Sequence, residues 1–167
     1  MHYTKSGRPI HYYGEETAGQ IIALKKNTSV KTLDDFFRLL LACWCRETAY
    51  PSAQADYVNE SDPTYGQCAI TATLVCDVFG GTIHKIKVEG GGTHYFNKID
   101  GRYYDLTRDQ FDLYNIPVEY EPNQEIGREY CGQNKNTKMR FDLLKQRIVD
   151  YIRKGKVLTD ISYELVN

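Results

Sequence analysis

Three residues could together perform nucleophilic chemistry: Cys68, in the run Gly-Gln-Cys-Ala-Ile, then His94, then Asp105. A thiolate attacks a carbonyl carbon, an imidazole carries the proton, and a carboxylate orients the imidazole. The order of thiol, imidazole and carboxylate along the chain therefore predicts an active site with a cysteine nucleophile.

Cys68 is predicted to lie in the first turn of a buried helix. Residues 67–79 are apolar nearly all round, which is typical of an enclosed helix, and Gly80-Gly81 marks its end. A helix N-terminus and a neighbouring imidazolium both favour a thiolate over a thiol. The same helix end offers backbone N–H groups to a developing oxyanion.

His94 and Asp105 are predicted to lie on one β-hairpin. The Asp-Gly pair at 100–101 is a strong signal for a two-residue turn, in which Ile99 faces Arg102. Because side chains alternate with a period of two, His94 and Asp105 then share a face as diagonal neighbours, with Cα atoms about 7–8 Å apart. A slip of one residue would place them on opposite faces.

Each of these residues also has a structural interpretation. Cysteine is among the most buried residue types, so Cys68 could be a core thiol, and Cys76 in the middle of the same helix is interpreted as one. Asp105 could simply end a strand and cap a turn. His84 is a rival base, although it has no acidic partner of fixed register.

Gln67, Glu47 and Thr48 are candidate supporting residues. The Gln67 side chain could help to hold an oxyanion, or it could only begin the helix, and neighbouring helix positions point in different directions. Glu47 and Thr48 could line the cleft near Cys68, or form a salt bridge and a cap. The structural interpretation is favoured for all three.

The rest of the chain predicts an α+β fold with an antiparallel sheet. We expect helices at 32–47 and 138–154, strands at 82–88, 93–99 and 102–107, and mostly irregular structure at 108–136. The helix that bears Cys68 would pack against the sheet, with the other helices flanking it. Residues 1–29 are expected to form a peripheral extension, and residues 30–167 a single domain.

Composition excludes some classes of partner. The chain has 167 residues and a net charge of −1, which offers no general attraction to nucleic acid or to an anionic membrane. No apolar run is long enough to span a membrane, and the N-terminal residues lack the apolar core of a signal peptide. The odd count of five cysteines favours free thiols over a disulfide framework. These observations predict a cytoplasmic protein.

Two other functions compete with an enzyme on these residues. The first is a non-catalytic binding module that uses tyrosine-rich loops. The second is a metal site, for which the candidate ligands would be Cys43, Cys45, Cys68, His84 and His94. Cys-x-Cys on a helix directs its thiols about 200° apart, which is poor for joint coordination. We therefore expect no metal and no cofactor. For the enzyme, we expect a peptide or protein substrate.

Several spaced motifs carry a family resemblance. They are Gly66-Gln67-Cys68-Ala69, Phe79-Gly80-Gly81, Gly92-Thr93-His94-Tyr95-Phe96-Asn97, Asp105-Leu106-Thr107 and Gln110-Phe111. Upstream, Trp44, Glu47-Thr48 and the Asp62-Pro63 loop fit the same pattern. Over residues 30–150, approximately, the chain resembles the uncharacterised bacterial family labelled YunG.

More distantly, the chain is similar to the transglutaminase-like branch of the papain-like fold. That branch also places a cysteine on a helix, followed by a histidine and an aspartate on successive strands. The resemblance implies a nucleophile at Cys68, a base at His94 and an orienting acid at Asp105. The interval of 26 residues from Cys68 to His94 is short for a full-sized transglutaminase, so the chain resembles a minimal version.

Overall fold

The computed structural model describes residues 1–26, 29–90 and 92–166, with side chains through residue 155. The helices are α1 (Glu15–Ala18), α2 (Leu33–Cys43), α3 (Cys68–Phe79), α4 (Asp109–Asp112) and α5 (Lys135–Val166). The strands are β1 (His2–Tyr3), β2 (Pro9–Ile10), β3 (Thr82–Lys87), β4 (Thr93–Ile99), β5 (Arg102–Tyr104) and β6 (Gln124–Ile126). Short 3-10 turns occupy Arg46–Thr48, Pro51–Asp56 and Cys131–Gln133. The predicted α+β class is confirmed.

The central sheet has four antiparallel strands in the order β5-β4-β3-β6, and β1 and β2 form a separate small hairpin. Ile99 pairs with Arg102, and Asn97 pairs with Tyr104. The predicted hairpin register is therefore confirmed. Helix α3 packs on β4, where the Asn97 side chain donates a hydrogen bond of 2.9 Å to the Ala72 carbonyl oxygen.

The last hairpin strand is shorter than predicted. β5 ends at Tyr104 instead of continuing to Thr107. The backbone of Asp105 pairs with Tyr13 from the N-terminal segment, through hydrogen bonds of 3.1 and 3.3 Å. The Asp105 carboxylate then accepts a hydrogen bond from the Thr107 N–H, and this local contact turns the chain away from the sheet. A partner distant in sequence thus replaces the expected pairing of residue 105 with the strand at 93–99.

Helix α2 begins with a capping box, in which the Thr32 hydroxyl accepts from the Asp35 N–H and the Asp35 carboxylate accepts from the Thr32 N–H. The predicted end at residue 47 was wrong, because the helix ends at Cys43 and a 3-10 turn follows. Helix α3 confirms the prediction to within one residue. It is enclosed because it contacts the sheet as well as α5.

The segment expected to be irregular contains helix α4, strand β6 and a 3-10 turn. β6 joins the sheet as an edge strand beside β3, pairing Ile83 with Ile126. The last helix is longer than predicted and begins at Lys135. None of the helices in the described ranges is long and apolar enough to cross a membrane.

Part of the predicted N-terminal extension lies in the main hydrophobic core. Ile10, Tyr12, Ala18 and Ile21 are buried there with side chains from α2, α3 and α5. Fully burying one large apolar side chain contributes about 1.5–3 kcal/mol. These contacts therefore attach residues 1–26 to the rest of the fold, and the division of the chain at residue 30 stays a prediction.

Candidate active site

Cys68 is the first residue of α3 and lies at the wall of a cleft of about 850 Å³, named here the Cys68 cleft. The lining residues are Tyr50, Ser52, Ala53, Tyr65, Gly66, Cys68, Ala69, Gly92, Thr93, Tyr95, Gln110, Tyr130, Cys131, Gln133, Asn134, Thr137 and Arg140. The first N–H groups of a helix have no partner within the helix, so donors stand beside the thiol. The thiol is thus positioned between an open cleft and a helix end.

Gly66 allows the chain to enter α3 at this position. Its φ is +72°, in the left-handed region that favours glycine. A Cβ at residue 66 would lie 2.8 Å from the Ala53 Cβ and 3.0 Å from the Tyr50 nitrogen. A side chain there would displace one wall of the cleft, so the close packing before Cys68 requires glycine.

His94 and Asp105 form a buried pair behind the cleft. His94 Nε2 lies 2.7 Å from Asp105 Oδ2, and each side chain is 1% exposed. The carboxylate can only accept, so Nε2 carries the proton in this contact. This arrangement directs the other ring nitrogen, Nδ1, away from Asp105.

Three further hydrogen bonds hold the Asp105 carboxylate. Oδ1 accepts from the Thr107 N–H and hydroxyl at 3.2 and 3.3 Å. Oδ2 accepts from the Tyr120 hydroxyl at 2.7 Å, in addition to His94. Sequence reasoning missed Tyr120, since it lies in the segment expected to be irregular and no periodicity marks it. The carboxylate orientation is therefore determined by groups from two different segments.

The environment favours an ion pair between the two side chains. Burial alone would raise the pKa of Asp105, but the charge and hydrogen bond of His94 and the donors from Tyr120 and Thr107 hold it below its ordinary value. Burial alone would lower the pKa of His94. The charge and hydrogen bond of Asp105, with Cys68 beside the ring, raise it to about 10. The Asp105 carboxylate therefore stabilises the protonated ring, and a proton on the ring stabilises the carboxylate.

His94 Nδ1 is buried and has no hydrogen bond of ordinary geometry to any residue in the described ranges. Cys68 is nevertheless close enough that its side chain raises the pKa of the ring through a hydrogen bond and through charge. Burying a ring nitrogen without a hydrogen-bond partner costs free energy. The Cys68 thiol lies beside Nδ1 and can transfer its own proton to that nitrogen.

Two aromatic rings hold the imidazole in place. The Phe111 ring packs edge-on against His94, with centroids 4.6 Å apart and an interplanar angle of 84°. Phe96 stacks on it at 6.4 Å and 22°. Gln110 joins this shell to the cleft, because its side chain donates to the Thr107 carbonyl oxygen and accepts from the Gly66 N–H. The ring therefore has little freedom to rotate.

Gln67 and Thr48 lie behind Cys68, where they join α3 to the preceding turn. Gln67 is fully buried, and its amide accepts from the Thr48 hydroxyl and donates to the Cys45 carbonyl oxygen, both at 2.9 Å. These contacts engage both ends of the amide, so the geometry favours the structural interpretation of Gln67. Thr48 is equally buried and does not line the cleft.

Glu47 is exposed and lies outside the cleft lining. Its pKa is lowered by its own backbone N–H and by the Cys45 side chain. It therefore belongs to a local turn at the surface.

His84, the rival base, is held by two neutral neighbours. One ring nitrogen lies 2.7 Å from the Thr82 hydroxyl, and the other lies 2.7 Å from Asn123 Oδ1. No carboxylate in the described residues forms an ion pair with it, whereas His94 has Asp105. The His84 ring also stacks on Phe96, which favours a structural role.

The cleft contains two further residues that the sequence did not suggest, Arg140 and Cys131. Burial raises the pKa of the Cys131 thiol to about 11. This second thiol therefore stays protonated at neutral pH, so a thiolate reaction in the cleft would be assigned to Cys68.

Among the described residues, no three side chains of His, Cys, Asp or Glu come together to hold a metal ion.

Replacing Tyr120 by phenylalanine should lower the free energy of unfolding by about 1.5–3 kcal/mol, the range for a hydrogen bond to a charged group. The substitution removes one donor to the buried Asp105 carboxylate, and it also removes the acceptor of a 3.1 Å hydrogen bond from the partly exposed Arg108. Urea unfolding followed by circular dichroism measures the loss. Tyr151→Phe, at an exposed position, is the control and should change little. Equal effects of the two substitutions would contradict the prediction.

The fold and site together define an α+β protein in which a cleft-lining cysteine at a helix N-terminus adjoins a buried histidine–aspartate pair. The family model described as YunG protein matches residues 32–153, so the chain belongs to the YunG family. It is 44% identical over 63 residues to "Uncharacterized protein YunG" of Bacillus subtilis (strain 168), an alignment that covers 38% of this chain and 51% of that protein. No solved structure matches the chain.

Proposed function

We propose that this protein is a cysteine hydrolase or acyltransferase that acts on an amide, isopeptide or ester bond of a peptide or protein. Cys68 is the nucleophile, His94 is the general base and acid, and Asp105 orients the imidazole. The single observation that supports this most is the placement of the His94 ring. Its Nε2 is bound to Asp105, its Nδ1 has no hydrogen bond of ordinary geometry to a described residue, and Cys68 lies beside it.

The reaction would proceed in two halves. His94 Nδ1 takes the thiol proton, and the Cys68 thiolate attacks the substrate carbonyl to form a tetrahedral intermediate. Its oxyanion would bind N–H groups in the first turn of α3. The imidazolium then protonates the leaving amine or alcohol, which leaves a thioester on Cys68. Water or an amine attacks the thioester, and His94 accepts its proton. The C–S bond then breaks, the acyl product leaves, and His94 returns the proton to the Cys68 sulfur.

The order of elements supports a transglutaminase-like architecture as part of this proposal. Helix α3 carries Cys68 at its start, β4 carries His94, and Asp105 directly follows β5. The five cysteines are free, which is consistent with the reducing compartment implied by the expected cytoplasmic location.

An activated ester tests the proposal without knowledge of the natural substrate. Mixed with p-nitrophenyl acetate at pH 7, the protein should release a burst of nitrophenolate of about one equivalent per chain, as expected for covalent catalysis. Peptide mapping should then place the acetyl group on Cys68.

Two variants control this experiment. Cys68→Ser should lose the burst, whereas Cys76→Ser should retain it, because Cys76 lies further along α3 and donates to the Gly81 carbonyl oxygen. Acetylation that is spread over surface lysines, with no burst from Cys68, would exclude an activated nucleophile at this position.

A further inference from the structure

The charge in the Cys68 cleft is unbalanced. Of the described residues that line the cleft, Arg140 alone carries a formal charge, and none is acidic. The aromatic side chains of Tyr50, Tyr65, Tyr95 and Tyr130 form much of the remaining wall. A cleft with one cation and several amphipathic rings is complementary to an anion that bears a flat or apolar body.

Arg140 is held rigidly by neutral acceptors. Its Nε donates to Asn136 Oδ1 at 2.7 Å, Nη1 to the Thr48 carbonyl oxygen at 3.2 Å, and Nη2 to the Thr137 hydroxyl at 3.2 Å. A guanidinium has five N–H donors, so these bonds leave one N–H on each terminal nitrogen. The paired oxygens of a carboxylate can accept two such donors together.

No described carboxylate forms an ion pair with Arg140, although only 2% of the residue is exposed. Other arginines in the protein differ in this respect, because Arg8 contacts Asp109 and Arg128 contacts Asp77. A buried cation without a counter-ion is costly to keep. Because Arg140 lies on the wall of the cleft, a bound substrate can supply the negative charge that no described carboxylate supplies.

We propose that the substrate carries a carboxylate, which Arg140 binds while the reacting carbonyl lies at Cys68. This inference rests on the proposed function and specifies its substrate class: an acyl compound or peptide with a free carboxylate close to the bond that is broken. The tyrosine rings contact the part of the substrate between the two groups. Arg140 is thus a substrate-binding residue.

A pair of small alkylating reagents tests this proposal. Iodoacetate carries a carboxylate next to its reactive carbon, whereas iodoacetamide is neutral and of similar size. The quantity compared is the ratio of the alkylation rate with iodoacetate to the rate with iodoacetamide. We expect this ratio to be about tenfold higher for Cys68 than for N-acetylcysteine, which is the scale of one charge-assisted hydrogen bond. Peptide mapping of Cys68 after short reaction times gives both rates.

Arg140→Gln should return the ratio to that of N-acetylcysteine while the iodoacetamide rate stays within about twofold of the parent. Arg153→Gln is the matched control, because it removes the same charge from an exposed position on α5 outside the cleft, and it should leave the ratio unchanged. If Arg140→Gln slows both reagents equally, the arginine acts on the thiolate and the proposal is overturned.

The unmodified protein provides a second test, which does not depend on whether Arg140→Gln folds. Benzoate should slow the alkylation of Cys68 by iodoacetamide, and benzamide at the same concentration should not. Equal protection by both, or by neither, would overturn the carboxylate assignment. A Cys68 that reacts with iodoacetamide no faster than N-acetylcysteine would instead count against the proposed nucleophile, whichever ratio is found.

Discussion

Alkylation of Cys68 by iodoacetamide at pH 7 should slow at least about tenfold when His94 is replaced by glutamine. An ordinary thiol is only a few per cent ionised at this pH, so a neighbouring base that takes its proton has a large effect on rate. Glutamine can still donate a hydrogen bond to Asp105, but it has no nitrogen that accepts the thiol proton. The rate is followed by peptide mapping.

His84→Gln is the matched control for this result. It makes the same substitution at the rival histidine, whose ring nitrogens contact Thr82 and Asn123 and not a thiol. We expect its rate to equal that of the parent. If His94→Gln also alkylates at the parent rate while its circular dichroism spectrum is unchanged, His94 does not activate Cys68.

Asp105→Ala should lower the free energy of unfolding by about 3–5 kcal/mol, since it leaves the His94 ring buried without its opposite charge. Asp112→Ala serves as the control. Asp112 is a half-exposed partner of Arg108, and such surface pairs contribute about 0–1 kcal/mol. Urea unfolding at pH 6 measures both. A loss for Asp105→Ala no larger than that for Asp112→Ala would contradict the description of a buried ion pair.

The same pair makes stability depend on pH in a defined window. The pKa of Asp105 is lowered, so its contribution is present above the value of about 3.9 in the unfolded chain and is lost as the pH falls through the lower folded value. The pKa of His94 is raised to about 10, so its contribution is full below about 6.5 and is lost as the pH rises toward 10. The unfolding free energy of the parent should therefore fall between pH 6.5 and 9, and Asp105→Ala should show a shallower fall.

The contact between His94 and Asp105 illustrates what local pattern can predict. An Asp-Gly turn sets the hairpin register, and the period of two then places both residues on one face. The structure has this register and this contact, although Asp105 lies just beyond the end of β5. Its backbone pairs with Tyr13 instead, and no local pattern in a hairpin could indicate a partner more than 90 residues away.

Arg140 and Tyr120 show the opposite case. Arg140 belongs to a helix rich in polar residues, where an arginine is ordinarily solvated, and Tyr120 lies in a segment with little regular structure. Both are buried against groups that come from other segments, Thr48 for the arginine and Asp105 for the tyrosine. Neither helical periodicity nor turn chemistry carries information on such contacts, because they depend on how α5 and the 108–136 segment pack on the rest.

The sequence by itself determined the antiparallel α+β class, the helix that begins at Cys68 and the shared face of His94 and Asp105. These follow from short-range rules of periodicity, turns and helix ends, which act within a few residues. The tertiary structure alone decided that Cys68 faces a cleft whose described lining carries one cation, that Nδ1 of His94 is buried beside the thiol, and that residues before 30 enter the core. Such features arise when distant segments pack together, and the free energy of that packing is shared over many contacts that no single stretch of sequence contains.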